Sequence, residues 1–322
     1  MANLKELSKK EELLTGGHRL CAGCGAPVIV RQVLHAIDGP VVIANATGCL
    51  EVSTTIFPYT AWKVPWIHNA FENVAATLSG VETAYRLFKK KGKMTEKVTF
   101  VGFGGDGGLY DIGLQSLSGA MERGHNMLII CYNNQAYMNT GTQRSSATPR
   151  GADTTTAPVG KATQGKKEYK KDLLGVLAAH KIPYAATATP AHWNDLITKV
   201  QKAVATGGPT FLNILSPCPR GWPHETDKTM DICRLAVDTN FWPLYEVVDG
   251  TKWNITHTPK EKKPVIEWFK SQGRFKHLFK PENQQLLVEL QQYVDDEWAL
   301  LKKKTECFPV NPPAAKVDAP VA

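Results

Sequence analysis

The chain has 322 residues, of which 43% are hydrophobic and 21% are charged, and its formal net charge is +8 at pH 7. This length suffices for one large domain or two ordinary ones, and the composition excludes a fibrous or disordered protein. Lysine and arginine form only small clusters, such as residues 166–171. The charge therefore indicates solvated faces, or a docking surface for an acidic protein, rather than a nucleic-acid interface.

The sequence shows no targeting or membrane segment. It has no run of about 18 apolar residues, which a membrane-spanning helix needs. The first residues are charged and lack the apolar core of a signal peptide. We therefore expect a cytoplasmic protein, in which the seven cysteines are free thiols or metal ligands rather than disulfides.

Apolar runs alternate with amphipathic segments over residues 28–215. Strands that alternate with helices predict an α/β fold, a mostly parallel sheet with helices on both faces. In chain order, the patterns predict helix 28–37, strand 40–44, helix 68–88, strand 98–103, a helix with Ile112, Leu114, Leu117 and Met121 on one face, strand 127–132, helix 171–180, strand 184–188, helix 192–206 and strand 210–215.

Two segments lack this periodicity. Residues 53–66 are aromatic and contain prolines, as an ordered loop over a site does. Residues 142–166 are rich in Thr, Ser, Gly and Ala, and a loop of this length is usually functional or mobile, so we expect it to cover a ligand. Between them, His68 and Glu72 are four residues apart at a predicted helix start. They form either a catalytic couple or a capping contact, and helix-terminus electrostatics favour the capping contact.

Beyond Asp238 the sequence becomes rich in Pro, Trp and Lys, followed by a charged helix at 282–303 and a Pro/Ala tail. We therefore expect a binding domain at residues 1–238 and an extended C-terminal arm at residues 239–322 that contacts another subunit. Cys131 is predicted to be a small buried strand residue. Cys233, in a predicted helix, and Cys307, in the Pro-flanked tail, are expected to have no chemical role.

A glycine-rich turn follows the predicted strand 98–103. Its glycines let a ligand approach the main chain, and the helix N-terminus beyond favours anions. Asp106 lies within this turn, where a carboxylate would repel a bare phosphate, so a bridging divalent cation, by default Mg²⁺, is expected. Asn134 follows the next strand and would bring an amide oxygen beside Asp106 if the two strands are parallel neighbours. The alternative is a structural glycine turn with a helix-capping aspartate.

Four cysteines form a second candidate site. Cys21 and Cys24 are a C-x2-C pair, whereas Cys49 and Cys218 each follow a predicted strand. Ligands of open α/β sheets gather where the parallel strands end, so the four thiols can converge there. Structural zinc usually takes two C-x2-C pairs. The spacing therefore favours a cubane iron–sulfur cluster over zinc, and both over free thiols.

Six blocks occur together and in order: GHRLCAGCG, ANATGCLEVSTT, VPWIHNAFENVAA, GGDGGLYDIGLQSLSGAMERGHN, NNQAYMNTGTQRSSATP and SPCPRGW. The chain resembles the thiamine diphosphate-binding beta subunits of pyruvate:ferredoxin oxidoreductase, within the wider 2-oxoacid:ferredoxin oxidoreductase family. The resemblance covers about residues 15 to 250. The family often has an aspartate before the metal-binding asparagine, where this chain has Asn133.

This resemblance assigns site residues by position. The implied Mg²⁺ ligands are Asp106, Asn134 and the carbonyl of Ala136. The implied 4Fe-4S ligands are Cys21, Cys24, Cys49 and Cys218. The residues implied to contact thiamine diphosphate are Gly48, Cys49, Gly105, Asp106, Gly107, Gly108, Asn134, Ala136 and Asn139. The candidate catalytic residues are Thr47 and Asn139.

The resemblance also implies the reaction. Pyruvate is decarboxylated oxidatively with coenzyme A to acetyl-CoA and CO₂, and electrons pass through the 4Fe-4S cluster to ferredoxin, reversibly. A branched-chain, aryl or 2-oxoglutarate substrate, a non-oxidative thiamine lyase or carboligase, and a non-enzymatic iron–sulfur or zinc scaffold remain alternatives. Implied partners are an alpha subunit with the carboxylate that activates the thiamine pyrimidine, gamma- and delta-type subunits with further clusters, and ferredoxin or another acceptor.

Overall fold

A single eight-stranded sheet organises residues 3–310, the part of the chain that the computed structural model describes. The strands are β1 (Val41–Ala46), β2 (Trp66–Asn69), β3 (Thr99–Gly105), β4 (Met127–Asn133), β5 (Tyr184–Ala188), β6 (Pro209–Leu215), β7 (Leu244–Val248) and β8 (Lys252–His257). Their order is β2-β1-β3-β4-β6-β5-β7-β8. Strands β1 to β6 are mutually parallel, whereas β7 is antiparallel to β5 and β8 to β7.

Helices precede, connect and follow the strands. They are α1 (Leu4–Leu7), α2 (Gly25–Ala36), α3 (Cys49–Thr54), α4 (Val74–Lys90), α5 (Leu114–Glu122), α6 (Leu173–Ala178), α7 (Trp193–Thr206), α8 (Thr229–Asp238), α9 (Val265–Lys270) and α10 (Gln284–Cys307), with a π-helix at Gly107–Ile112 and 3₁₀ turns at Thr226–Lys228, Gly273–Phe279 and Pro281–Asn283. Within residues 3–310, none of the helices combines the length and apolarity that crossing a membrane requires.

The sheet separates two apolar cores. Helices α2 and α7 cover one face, and α4, α5 and α6 cover the other. Neighbouring residues of β6 point to opposite sides: Phe211 belongs to one core and Leu212 to the other, as the alternation of side chains along a strand requires. Every residue of β4, β5 and β6 is buried. This two-sided burial explains their continuous apolar sequences and confirms the predicted α/β fold.

The predicted helix 68–88 begins too early. Residues 66–69 form the edge strand β2, which pairs with β1, and the helix starts only at Val74. The predicted helix after the glycine turn is also interrupted, because a π-helix occupies Gly107–Ile112 and leaves Ile112 56% exposed. Edge strands carry half-exposed polar residues, so β2 lacks the apolar run that marks a buried strand.

The segment after Asp238 is more regular than the extended arm that we expected. Its strands β7 and β8 extend the sheet of the binding domain, and α10 packs against β8 and α9. Cys307 is the last residue of α10 rather than part of a tail. The boundary at residue 238 stays a prediction, and the Pro/Ala tail from residue 311 lies outside the described residues.

A third apolar core joins this segment to the sheet. It contains Leu215 and Trp222 from the first 238 residues and Trp268, Phe269 and Phe275 from the C-terminal segment. The indole of Trp268 stacks on Phe241 with ring centroids 4.0 Å apart. The C-terminal segment therefore shares its core with the strand β6 that precedes Cys218.

We expect Phe269→Ala to lower the free energy of unfolding by about 3–5 kcal/mol, because the ring is fully buried and its loss leaves a cavity. Phe57→Ala is the matched control. That ring is 93% exposed, so the change should stay within about 0.5 kcal/mol. Urea unfolding followed by tryptophan fluorescence measures both, and a separate transition for the C-terminal segment would contradict the shared core.

Candidate functional site

The predicted cofactor turn lies where two neighbouring strands end. Strands β3 and β4 are parallel neighbours, with Gly105 opposite Tyr132. This is the condition under which the sequence predicted that Asp106 and Asn134 lie side by side. Asp106 directly follows β3, and Asn134 directly follows β4. The backbone N–H groups of Asn134 and Gln135 each donate to Oδ1 of Asp106 over 3.1 Å. The strand pairing thus brings the predicted carboxylate and amide together.

Asp106 is completely buried. Its Oδ2 accepts a hydrogen bond from the hydroxyl of Ser145. Burial raises the pKa of Asp106 to about 7, although the hydrogen bonds from Ser145 and from the backbone favour the charged form. A cation bound beside Asp106 would stabilise the ionised form of this buried carboxyl group.

Three potential metal ligands converge at this point. One terminal atom of the Asn134 amide lies 3.0 Å from Oδ1 of Asp106 and 2.8 Å from the carbonyl oxygen of Ala136. Both neighbours only accept hydrogen bonds, so this atom is the amide nitrogen when no cation is present. With its oxygen turned inward, the amide completes three oxygen ligands, the donor set that Mg²⁺ prefers. The residues present therefore fit a divalent cation.

The glycines after Asp106 are required by close packing. A Cβ atom at Gly107 would lie 2.4 Å from the ring of Tyr137, and one at Gly108 would lie 3.1 Å from the carbonyl oxygen of Phe71. The side chain of Asp106 makes no capping hydrogen bond to the π-helix that follows. The alternative of a helix-capping aspartate is therefore wrong. π-Helical turns are frequent at functional sites.

The loop 142–166 supplies groups that the sequence did not reveal. Lys166, which we assigned to a solvated cluster, is buried, and its ammonium donates to the carbonyl oxygens of Ser145 (3.2 Å), Ser146 (3.3 Å) and Thr148 (2.7 Å). It thereby fixes the turn from which Ser145 reaches Asp106. No local pattern could have shown this, because the contact joins residues about twenty positions apart. The loop lies beside the site, as expected.

The four predicted cluster cysteines lie at the same end of the sheet. Cys24 precedes α2, Cys49 is the first residue of α3, and Cys218 follows β6. The N–H of Gly25 donates to the carbonyl of Pro217 over 3.2 Å, which brings the C-x2-C turn against the Cys218 segment. Cys21 is exposed, and the other three are partly buried.

The thiols influence one another. Burial, with smaller contributions from the neighbouring Cys218, Cys49 and Cys21, raises the pKa of Cys24 to about 12. Burial also raises the pKa of Cys49 to about 12, again with Cys218 and Cys21 contributing. The N–H of Gly221 donates to the sulfur of Cys218 over 3.4 Å. Such N–H groups stabilise thiolates, so this donor set suits a cluster of positively charged irons.

Within residues 3–310, no group of three or more His, Cys, Asp or Glu side chains is arranged to hold a single metal ion. A cubane cluster places a different requirement on its ligands, because each thiolate binds a different iron atom. Its four sulfurs need to surround a volume rather than converge on one point. Cys131 is buried in β4, as predicted, and Cys233 is buried in α8. That Cys233 and Cys307 have no chemical role stays a prediction.

One indole links the two candidate sites. The N–H of the Trp222 side chain donates to the carbonyl oxygen of Asn134 over 2.7 Å. The backbone N–H of Trp222 donates to the carbonyl oxygen of Cys218 over 2.8 Å. A Cβ atom at Gly48, beside Cys49, would lie 2.6 Å from the hydroxyl oxygen of Tyr132. Both cysteine segments thus pack against the strand that leads to Asn134.

The candidate catalytic residues occupy less enclosed positions. Thr47 follows β1, and its hydroxyl lies 2.8 Å from Nε2 of His68. His68 lies in strand β2, and its charged neighbour is Glu51 at 3.6 Å, so the predicted pairing with Glu72 is wrong. Asn139 is exposed in the turn after Ala136. The roles of Thr47 and Asn139 stay predictions.

Comparison with known proteins gives a consistent result. The family described as "Thiamine pyrophosphate enzyme, C-terminal TPP binding domain" matches residues 46–214. Pyruvate synthase subunit PorB of Thermotoga maritima is 55% identical over 304 residues, which are 92% of this chain and 93% of that protein. Ketoisovalerate oxidoreductase subunit VorB of Pyrococcus abyssi is 44% identical over 299 residues, which are 92% and 95% of the two chains.

A solved structure has a similar fold. It is a 2-oxoglutarate:ferredoxin oxidoreductase from Magnetococcus marinus, with 2-oxoglutarate, coenzyme A and succinyl-CoA bound. The alignment has a TM-score of 0.54 and 19% sequence identity, and it covers 70% of this chain and 81% of that one. At this identity the likeness concerns the fold.

We expect Asp106→Asn to stabilise the metal-free protein at neutral pH. The native carboxyl keeps its proton up to about pH 7, whereas the unfolded one loses it near 3.8. Between these values the native state binds more protons, so wild-type stability falls as the pH rises. The asparagine variant has no carboxyl group to titrate. Its free energy of unfolding should therefore exceed that of the wild type by an amount that grows from pH 4 to pH 7, to at most roughly 4 kcal/mol at about 1.4 kcal/mol per pKa unit.

Urea unfolding in the presence of a chelator, repeated across this pH range, measures the effect. Asp231→Asn, on the exposed face of α8, is the matched control and should show no such trend. A constant difference between the Asp106 variant and wild type would contradict the raised pKa.

Proposed function

Since the chain belongs to the family of beta subunits of pyruvate:ferredoxin oxidoreductase, we propose that it binds thiamine diphosphate and takes part in the oxidative decarboxylation of pyruvate with coenzyme A. The matches to PorB proteins confirm the family resemblance of the sequence. The observation that carries the proposal is the convergence of the side chains of Asp106 and Asn134 and the carbonyl oxygen of Ala136 beside the four-cysteine edge. We expect this reaction to be reversible.

Asp106, Asn134 and Ala136 would hold Mg²⁺, and the glycines around Asp106 would admit the diphosphate. When bound, thiamine diphosphate supplies an electron sink for the bond that breaks as CO₂ leaves. Ser145 and the two backbone N–H groups fix the orientation of the Asp106 carboxyl group. Because that carboxyl group has a pKa of about 7 when no metal is bound, binding of a cation below this pH would release a proton from it.

Cys21, Cys24, Cys49 and Cys218 would hold a 4Fe-4S cluster, which takes up electrons one at a time. The support is their placement at one edge of the sheet, close enough for each thiol to affect the others. All seven cysteines are free thiols, which favours a reducing compartment and a cytoplasmic location. Thr47 and Asn139 would contact the substrate or the cofactor from the open side.

Further subunits complete the enzyme in this proposal. The described residues contain one α/β sheet, and an alpha subunit would supply the carboxylate that activates the pyrimidine of the cofactor. Gamma- and delta-type subunits would carry further clusters toward ferredoxin or another acceptor. The relatives are themselves named as subunits. Two large apolar side chains in the segment that follows α3 are exposed to solvent, Phe57 at 93% and Tyr59 at 77%. Exposed apolar groups of this kind suit a subunit contact.

The cluster part of the proposal is tested by Cys24→Ala in the anaerobically purified complex. We expect the wild-type chain to contain about four iron atoms with a broad visible absorbance, as a cubane with four cysteine ligands requires. Because the other subunits would carry clusters of their own, the variant complex should contain about four fewer iron atoms per copy of this chain, with correspondingly weaker absorbance, and should no longer reduce viologen. Cys307→Ala, at an exposed cysteine that ends α10, is the control and should retain both. Zinc without iron in the wild type would refute electron transfer, and unchanged pyruvate turnover in Cys24→Ala would indicate a non-oxidative lyase.

Pyruvate is the substrate we expect, and a branched-chain 2-oxo acid is the second candidate because the ketoisovalerate relative is 44% identical. Small differences in an apolar pocket discriminate such substrates by only about 10- to 200-fold. We therefore expect kcat/KM for pyruvate to exceed that for 2-oxoisovalerate by about tenfold or more. A panel of 2-oxo acids with coenzyme A and viologen, assayed on the complex, measures the ratio, and the reverse order would assign the branched-chain substrate.

A further inference from the structure

Arg274 is a buried cation that no part of the proposed mechanism uses. It lies in the 3₁₀ turn Gly273–Phe279 of the C-terminal segment and is 4% exposed. Its Nε donates to the side-chain oxygen of Gln272 over 3.0 Å. Its Nη2 donates to the side-chain oxygen of Gln135 over 2.6 Å. Both acceptors are neutral amides, which cannot balance the charge of a guanidinium.

The other neighbours of the guanidinium are aromatic. Its central carbon lies 3.9 Å from the ring centroid of Trp222, 4.9 Å from that of Phe275 and 5.7 Å from that of Trp268. Cation–π contacts offset part of the hydration free energy that a buried cation loses. A buried charge without an ionic partner is nevertheless strongly destabilising. Nearby anions would therefore stabilise the charged guanidinium of Arg274.

The acidic groups that affect the pKa of Arg274 belong to the two proposed cofactor sites. Burial lowers the pKa of Arg274 well below its usual range, and the two charges that act against this shift are the Cys218 thiolate and the Asp106 carboxylate. Cys218 is a proposed cluster ligand, and Asp106 is a proposed metal ligand. A 4Fe-4S cluster with four thiolates and a diphosphate both carry net negative charge, so both would favour the guanidinium.

Arg274 also controls the turn that carries the metal ligands. Gln135, its hydrogen-bond partner, lies between Asn134 and Ala136 and has φ of 64°. This left-handed conformation is unfavourable for a residue with a Cβ atom. It directs the N–H of Gln135 to Asp106. The bond from Arg274 to the Gln135 side chain helps to hold the turn in this conformation.

A second set of contacts reaches the cysteine turn. The guanidinium lies over Trp222, whose backbone N–H donates to the carbonyl of Cys218. The N–H of Gly273, next to Arg274, donates to the carbonyls of Trp222 (3.0 Å) and Pro223 (2.9 Å). The turn that carries Arg274 is thus fixed directly to the segment that carries a proposed cluster ligand.

We propose that Arg274 is a positioning residue for both cofactors: its hydrogen bond to Gln135 sets the metal-binding turn, and its charge stabilises the reduced cluster. The inference rests on the proposed function, because it takes the cofactors as bound. It assigns the C-terminal segment a part in the chemistry. The two effects are separable, since the hydrogen bond needs the shape of the guanidinium and the electrostatic effect needs only its charge.

Three variants separate the effects in the assembled complex. Arg274→Met removes charge and hydrogen bond, Arg274→Lys keeps the charge, and Gln135→Met removes the hydrogen bond while Arg274 stays in place. Calorimetry with thiamine diphosphate and Mg²⁺ measures the dissociation constant. A redox titration followed by electron paramagnetic resonance measures the midpoint potential of the cluster. Arg234→Met, at an exposed arginine of α8 paired with Asp231, is the matched control.

We expect each of the three variants to weaken thiamine diphosphate binding about tenfold, as loss of an outer-shell partner of a metal site does. Combining Arg274→Met with Gln135→Met should weaken binding no further, because both break the same contact. Arg274→Met alone should shift the cluster potential to more negative values, because a nearby positive charge favours the reduced form. Arg274→Lys and Gln135→Met should leave the potential unchanged.

Several results would overturn the inference. Unchanged affinity and potential in Arg274→Met, with normal cofactor loading of the wild type, would refute it and leave the proposed function intact. A wild-type complex without thiamine binding or iron would refute both. Additive losses in the double variant would refute the contact through Gln135. Should Arg274→Met fail to assemble, the affinity of Gln135→Met and the potential of Arg274→Gln, which also removes the charge, decide, with thermal unfolding of each variant to exclude a general loss of stability.

Discussion

The parallel pairing of β3 with β4 decides where every candidate metal ligand lies. It places the residues after both strands at one edge, so that two backbone N–H groups of the β4 turn reach the carboxylate of Asp106. Those bonds hold a buried acid in place before any cation arrives. Cys49 and Cys218 follow β1 and β6, which flank the same pair, so this topology places both candidate sites at one edge.

Much of this arrangement could be predicted from the sequence, for a physical reason. Strands that are buried on both faces, such as β4 and β6, have largely apolar sequences that can be recognised without the structure. The ligands that follow them are short motifs with fixed spacing, and Asp106, Asn134 and the four cysteines were identified in this way. Edge strands gave no such signal. β2 and β8 are half-exposed and polar, and the positions of His68 and of the C-terminal strands were missed accordingly.

The supporting residues could not be predicted because their contacts are not local. Ser145 reaches Asp106 across 39 positions of the chain, and Arg274 reaches Gln135 across 139. Each is an ordinary polar residue in a segment without periodicity. Burial gives them their importance, since an unpaired polar group in the interior is costly. Their roles are visible only when the fold shows which backbone groups they satisfy.

The hairpin of β7 and β8 has a consequence for the newly made chain. All five residues of β5 are buried, and until the hairpin pairs with it, this strand is an apolar edge open to other chains. Such edges are templates for aggregation. The finished edge, β8, begins with the exposed Lys252, and a register shift interrupts its pairing near Leu244, two features that discourage further pairing. The hairpin, which is synthesised after the strands that it covers, thus protects the sheet against self-association.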